Sequence, residues 1–284
     1  MEKRKLRISL AACSDPVLGN WEKEVYQLTD LLRGEGLDVV MDPAFFGNRN
    51  LEGVQKARLL MDLFSDPEMD FIFDVSGGDL ANCVLPYLDY DVIRNSRAVF
   101  CGYSDLSTVI NAIIAKTGRS AINYQIRNIL YDHAEEQLQY VKNTILQNRI
   151  SGTDLKAVFL RGTSMEGTAL GGNIRCFEKL AGTPFWPDMK GSILLLEGNT
   201  SNLYKVMTAL EQYRQMGVFD QISGILLGTF TKMEADRISP SAGELVMKIV
   251  PEHIPVAATR YFGHYTDAKA IVLGTHQSFC ADPS

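Results

Sequence analysis

No CxxC pair joins the five cysteines, which are odd in number and far apart (Cys13, Cys83, Cys101, Cys176 and Cys280). That spacing excludes a disulfide framework and a zinc knuckle, and the expectation is five buried, reduced thiols. Only four histidines occur (His133, His253, His264 and His276), and none stands at HExxH or another paired metal spacing. A histidine-based metal centre is therefore not expected. There is no Walker loop and no GxGxxG; Gly77-Gly78 and Gly171-Gly172-Asn173 are isolated glycine pairs that read as turns. No nucleotide cofactor, and no cofactor of any kind, is called for.

Positive charge is also in short supply. Lys plus Arg number 28 against 34 Asp plus Glu, a net charge of −6. The electrostatic footprint that a phosphate backbone requires is missing, so nucleic acid is excluded as a partner. No apolar run reaches 18 residues, and the charged start, Met1 to Arg7, leads into only Ile8 to Ala12 before Cys13-Ser14-Asp15-Pro16. That stretch is too short for a secretory segment or a membrane span, and the expectation is a soluble cytoplasmic protein with no membrane partner.

What is present is enough for two cores: 284 residues, 46% hydrophobic and 22% charged. The first half alternates short apolar runs with helical stripes, the pattern of a parallel α/β sheet. Strands are expected at Leu6–Leu10, Val39–Met41, Phe71–Phe73 and Ala98–Cys101. Helices are expected over Trp21–Leu32, Leu51–Phe64, Leu106–Lys116 and Ala134–Gln147. Residues 148–154 are polar and contain glycine, which suits a linker, so the expected boundary lies near residue 150: an α/β domain over 1–150 and a β-rich domain over 151–284. In the second half, strand-like runs at 155–160, 192–196, 222–227, 254–258 and 270–273 surround two clear helices, 203–216 and 242–250.

Two polar turns fall at the ends of expected strands, where open α/β sheets place their ligands. The more informative is Gly102-Tyr103-Ser104-Asp105, a serine between an apolar strand and an amphipathic helix. This is the layout of a nucleophile elbow, in which the next backbone N–H can face a developing oxyanion. It is also the layout of an ordinary helix N-cap. A serine nucleophile needs a base, and the base needs an orienting carboxylate. Glu197 closes the apolar strand Ile193–Leu196, where a carboxylate is costly without a partner, and His264 follows the strand around Pro255–Ala257. Taken together they give Ser, Glu, His in a chain order known for catalytic triads.

The ordered set of motifs carries a resemblance. Gly77-Gly78-Asp79-Leu80-Ala81-Asn82, Leu85 to Ile93, Gly102 to Ser107, Gly171-Gly172-Asn173, Ile193 to Glu197, Gly224 to Gly228, Phe262-Gly263-His264 and Leu273-Gly274 resemble the LD-carboxypeptidase family of serine peptidases, which includes the microcin C immunity peptidases. The resemblance spans nearly the whole chain. It implies an α/β domain bearing the nucleophile, Ser104, and a second, barrel-like domain bearing the orienting acid, Glu197, and the base, His264. The oxyanion hole it implies is formed by the backbone N–H groups of Asp105 and one of Gly77-Gly78, preferentially Gly78. It further implies a small peptide substrate, a murein tetrapeptide losing its terminal D-Ala, and a homodimer.

Two departures bear on substrate. Asp79-Leu80-Ala81-Asn82 is closer to the immunity type than to murein-acting members, and Asn123-Tyr124-Gln125 replaces the usual Tyr-Gly-Pro. A microcin-like aminoacyl nucleotide is therefore the alternative substrate, and a non-catalytic peptide-binding module is the alternative from another class. Arg161, Arg175 and Arg260 are the available cations for a substrate carboxylate. Trp186 reads either as a packed aromatic or as a pocket wall.

Overall fold

The computed structural model describes residues 4–47 and 52–281. Residues 1–3, 48–51 and 282–284 lie outside it, and with them the expected start of the second helix at Leu51. The chain runs β1 (Arg7–Ala11), α1 (Asn20–Gly34), β2 (Asp38–Met41), α2 (Gly53–Ser65), β3 (Met69–Asp74), α3 (Tyr90–Asn95), β4 (Val99–Gly102), α4 (Ser107–Thr117), β5 (Ala121–Asn123) and α5 (Ala134–Tyr140). The second half continues with β6 (Val158–Arg161), β7 (Ser164–Asn173), α6 (Ile174–Glu178), β8 (Ser192–Gly198), α7 (Leu203–Gln215), β9 (Gly224–Phe230), α8 (Thr231–Ala235), α9 (Ala242–Ile249), β10 (Val256–Ala258), β11 (Ile271–Leu273) and β12 (His276–Cys280).

These form two six-stranded sheets, ordered β11-β5-β4-β3-β1-β2 and β12-β7-β8-β9-β10-β6. The first is parallel from β5 to β2. Its central strand β3 is buried at every residue, as helices on both faces of a parallel sheet require. In α1, Val25, Leu28 and Leu32 form the buried stripe, so this helix covers one face. Gly118 ends α4 in the left-handed region (φ 71°), donating to the carbonyl of Ile114.

The second sheet has a parallel core, β7-β8-β9-β10, with antiparallel edges β12 and β6. β8, with the sequence SILLLEG, is buried throughout. The fold is thus α/β, with a parallel-sheet N-terminal part and a strand-rich C-terminal part. One strand crosses the expected boundary: β11 returns to the first sheet and pairs antiparallel with β5, Val272 opposite Ile122. An apolar triplet that caps a sheet edge has nothing in its composition to say which sheet it joins.

Three local expectations are corrected. Gly171-Gly172-Asn173 is the end of β7 rather than a turn, in register with Leu195, Leu196 and Glu197 of β8. Glycine is required there by contact: a Cβ on Gly171 would lie 2.3 Å from the Leu195 carbonyl oxygen, and one on Gly172 2.3 Å from Ser107 Oγ. The helix from Ala134 is regular only to Tyr140 and continues as a π-turn over Val141–Ile145. Cysteines 13, 101 and 176 are buried, but Cys83, on an outward-facing turn, and Cys280, on the exposed face of an edge strand, are not.

Candidate active site

Ser104 sits two residues beyond the end of β4 and has φ 56°, left-handed backbone in a residue that is not glycine. Such strain persists only where the surroundings over-determine the turn. Here the turn is short: Ser104–Leu106 forms a single 3-10 turn that runs directly into α4. Gly102 has no room for a side chain, since a Cβ would lie 2.6 Å from that of Leu106. The tight strand-to-helix reversal lifts the serine side chain off the sheet edge.

The other two predicted side chains come from the second sheet. Glu197 lies at the carboxyl end of β8, opposite Asn173 of β7, and is 2% exposed. His264 follows β10 in the loop that starts at Thr259, and its side chain is 9% exposed. His264 Nδ1 lies 2.6 Å from Glu197 Oε2, and His264 Nε2 lies 3.2 Å from Ser104 Oγ. Three residues spread over 160 positions thus form one hydrogen-bonded chain, with the imidazole between hydroxyl and carboxylate. With Nδ1 donating to the carboxylate, Nε2 is left as an acceptor facing the serine hydroxyl.

The histidine is held from behind by residues that sequence reasoning missed. Its backbone N–H donates to Thr229 Oγ1 at 3.3 Å. The preceding Gly263, at φ 134°, packs so closely that a Cβ would lie 2.1 Å from that oxygen. Tyr103 places its ring 4.4 Å from the imidazole, centroid to centroid. Burial, followed by the charge of Glu197, pushes the Tyr103 phenol far above its ordinary pKa, so it stays neutral. The tyrosine in Gly102-Tyr103-Ser104-Asp105 was the one available sequence signal; nothing marked Thr229.

The remaining two predicted residues lie in the loops around Ser104. Gly78 has φ 125°, and a Cβ there would lie 2.1 Å from Asp15 Cγ. Asp15 accepts from the backbone N–H of Asp79 at 2.9 Å, and its own N–H donates to the Gly77 carbonyl. Asp105 is fully buried, and its carboxylate accepts from Ser14 Oγ at 2.6 Å, from the Ala81 N–H at 2.8 Å and from Lys179 Nζ at 2.5 Å. Behind them, Asp74 accepts from the Cys13 N–H and from both the N–H and hydroxyl of Ser76, whose Oγ accepts from the Ser14 N–H. Burial raises the Asp74 pKa against the pull of these donors. The loops after β1 and β3, where the strand order of the first sheet reverses, are thereby tied to the turn after β4.

The two sheets meet through α4. Asn111 clamps the backbone of Gly171 with both ends of its amide, at 2.7 and 3.0 Å, Ser107 Oγ accepts from the Asn173 N–H, and Thr108 donates to the Cys176 carbonyl. These contacts fix Ser104, at the head of α4, against Glu197 and His264.

Of the three candidate arginines, Arg161 is spent on the carbonyls of Ile254 and Pro251, and Arg260 pairs with Asp267. Arg175 is the one at the glycine loop, paired with Asp79. Trp186 stacks on Phe177 at 4.5 Å and lies near Tyr213, a packed aromatic behind α6. Among the described residues, no helix is long and apolar enough to cross a membrane.

Comparison with known proteins agrees with this arrangement at the level of family and fold. Residues 8–124 match the family description "LD-carboxypeptidase N-terminal domain", and residues 166–279 match "LD-carboxypeptidase C-terminal domain". A Treponema pallidum protein bearing the name "Putative carboxypeptidase" is 27% identical over 263 residues, covering 84% of this chain and 77% of its own. The structure of microcin C7 self-immunity protein MccF in complex with aspartyl sulfamoyl adenosine superposes with a TM-score of 0.85 at 18% identity, over 98% of this chain and 94% of the other. A muramoyltetrapeptide carboxypeptidase from Oxalobacter formigenes superposes with a TM-score of 0.77 at 20% identity, over 97% and 95%.

Proposed function

The chain belongs to the LD-carboxypeptidase family of peptidases, and from that premise we propose that it is a serine carboxypeptidase that removes the terminal D-Ala of murein tetrapeptides. The observation that carries the mechanism is the imidazole of His264, 3.2 Å from Ser104 Oγ on one side and 2.6 Å from Glu197 on the other. In the proposed reaction, Nε2 of His264 takes the hydroxyl proton as Ser104 Oγ attacks the scissile carbonyl. Glu197 holds the ring and stabilises the imidazolium. The carbonyl oxygen becomes an oxyanion, which the N–H groups of Asp105 and Gly78 are placed in this reading to receive. The carbon–nitrogen bond then breaks, His264 returns the proton to the leaving amine, and water hydrolyses the ester on Ser104 by the same steps reversed. These residues supply nucleophile, base and electrostatic stabilisation themselves, so the proposal includes no cofactor.

Within this reading Arg175, at the rim of the glycine loop, is the cation for the substrate's terminal carboxylate. A cytoplasmic location and a homodimer, both implied by the family resemblance, belong to the same proposal. The Asn82 ending of the glycine loop favours a second substrate, an aminoacyl sulfamoyl adenosine of the kind named for MccF. Purified protein is to be incubated in parallel with a murein tetrapeptide and with aspartyl sulfamoyl adenosine, following release of D-Ala and of aspartate. Release of D-Ala by wild type and not by Ser104→Ala is the expected result. Turnover of the nucleotide alone removes the murein assignment, and turnover of neither removes the enzymatic one.

A further inference from the structure

We propose that Lys179 is a positioning residue for this hydrolysis, a proposal that rests on the serine-peptidase reading above. Lys179 follows α6 in the second half of the chain, and its ammonium closes on two loops of the first half. It donates to Asp105 Oδ1 at 2.5 Å and to the backbone carbonyl of Asp79 at 2.8 Å. The first contact is to the residue after Ser104, the second to the residue after Gly78. One side chain thus grips both segments whose N–H groups would receive the oxyanion.

The grip matters because Asp105 is fully buried. Its Oδ2 already serves the Ala81 N–H and Ser14 Oγ, and the ammonium is the single cation bonded to it among the described residues. An ionised carboxylate in that position is strongly disfavoured once its counter-charge is removed. It must then turn toward water, and that change loosens the glycine loop or the turn after β4. Ser104 is in a strained left-handed conformation that depends on such constraint. Lys179 does not hydrogen-bond Ser104, His264 or Glu197; it acts through Asp105 and the Asp79 carbonyl.

An interaction that shapes the oxyanion site is felt in the transition state more than in the bound substrate. Lys179→Met is therefore expected to lower kcat on the order of 10²-fold, the scale of an ångström's misplacement, while KM changes only a few-fold. The rate at which a fluorophosphonate labels Ser104 should fall in parallel, measured well below the melting temperature. Lys179→Arg, which keeps the charge, should recover at least part of both. Combining Asp105→Asn with Lys179→Met removes the stranded charge, so the pair is expected to lose less than the product of the two single losses.

Should Lys179→Met not fold, the charge-neutral double variant and Lys179→Arg carry the test, since the former still lacks the tie to Asp79 and is expected to label more slowly than wild type. Wild-type kcat and labelling in Lys179→Met, or in the double variant, overturns the proposal while leaving the peptidase reading intact. Loss confined to melting temperature does the same, because it reduces Lys179 to a structural role. Wild type that neither turns over substrate nor takes the label overturns both.

Discussion

Glu197 and His264 are 67 positions apart in the chain and 2.6 Å apart in space, joined through Nδ1 of the imidazole, the carboxylate at the carboxyl end of β8 and the histidine in the loop that follows β10 of the same sheet. The carboxylate is almost entirely buried, so its partner is what makes its position tolerable. Glu197→Gln keeps shape and volume but exchanges an acceptor for a group that can donate, which disturbs the tautomer while the base itself remains. The expected loss in kcat is on the order of 10⁴-fold. In the proposed mechanism Ser104→Ala and His264→Ala each remove a reacting group, and each should cost on the order of 10⁶-fold. Steady-state kinetics on the three purified variants decides this, and equal losses in folded protein would refute the division of labour.

The backbone of Ser104 gives a prediction about stability that is independent of substrate. At φ 56° a side chain is strained and glycine is not. Ser104→Gly and Ser104→Ala both lose the hydroxyl and its contact with His264, so the difference between them isolates the conformational strain. Ser104→Gly should be the more stable of the two by about 1 kcal/mol, the cost of left-handed backbone for a residue with a Cβ. Urea unfolding of both variants tests it, and a Ser104→Ala variant at least as stable as Ser104→Gly would contradict the strained-turn reading.

The parts of the molecule legible in the sequence were those with strong local causes. An apolar run such as Phe71–Phe73 declares a buried strand, and Val109, Ile110 and Ile113 declare a helix face. Ser104, Glu197 and His264, which the fold joins in one hydrogen-bonded chain, stood out as candidates because polar chemistry at the end of an apolar strand is locally anomalous, and their order in the chain matched a catalytic arrangement. Gly171 and Gly172 misled because glycine in a strand and glycine in a turn look alike in sequence; the reason for each lies in the Leu195 carbonyl and Ser107, which only the fold brings near. Lys179 had no signal, since a lysine after a helix is ordinarily solvated. Its contact with the buried Asp105 is a property of the seam, as is the return of β11 to the first sheet.

Gly172 tests that seam directly. It is the point where β7 passes under the first turn of α4, and a Cβ would lie 2.3 Å from Ser107 Oγ and 2.8 Å from Ser107 Cβ. Its φ of 131° adds a conformational penalty for any other residue. Gly172→Ala should therefore destabilise the protein by about 1–3 kcal/mol through overpacking, or more if the strand cannot shift. Activity should fall with it, because Ser107 is three residues from Ser104 on the same turn of chain. The denaturant midpoint reads the first effect and kcat the second; an unchanged midpoint is incompatible with the close approach of β7 to α4.

Asp79 offers a pH test of the glycine loop. The hydrogen bond from Arg175 is the largest influence on its carboxyl and, with the charges of Arg175, Lys179 and Lys205, holds its pKa below the ordinary carboxylate value. A carboxylate whose pKa is depressed on folding adds stability above its unfolded pKa, and that contribution is lost as the pH falls through the folded value. The side chain is 61% exposed, so the effect is small and screened by salt. Asp79→Asn removes the charge and leaves the Asp79 N–H bond to Asp15 in place. Wild type should thus exceed Asp79→Asn in urea midpoint by a constant margin from about pH 5.5 to 7, and the margin should close as the pH drops below about 4. The closure should be weaker in 1 M salt than in 0.05 M salt. A margin that persists unchanged to the acid limit would mean that the Arg175 contact does not order this loop.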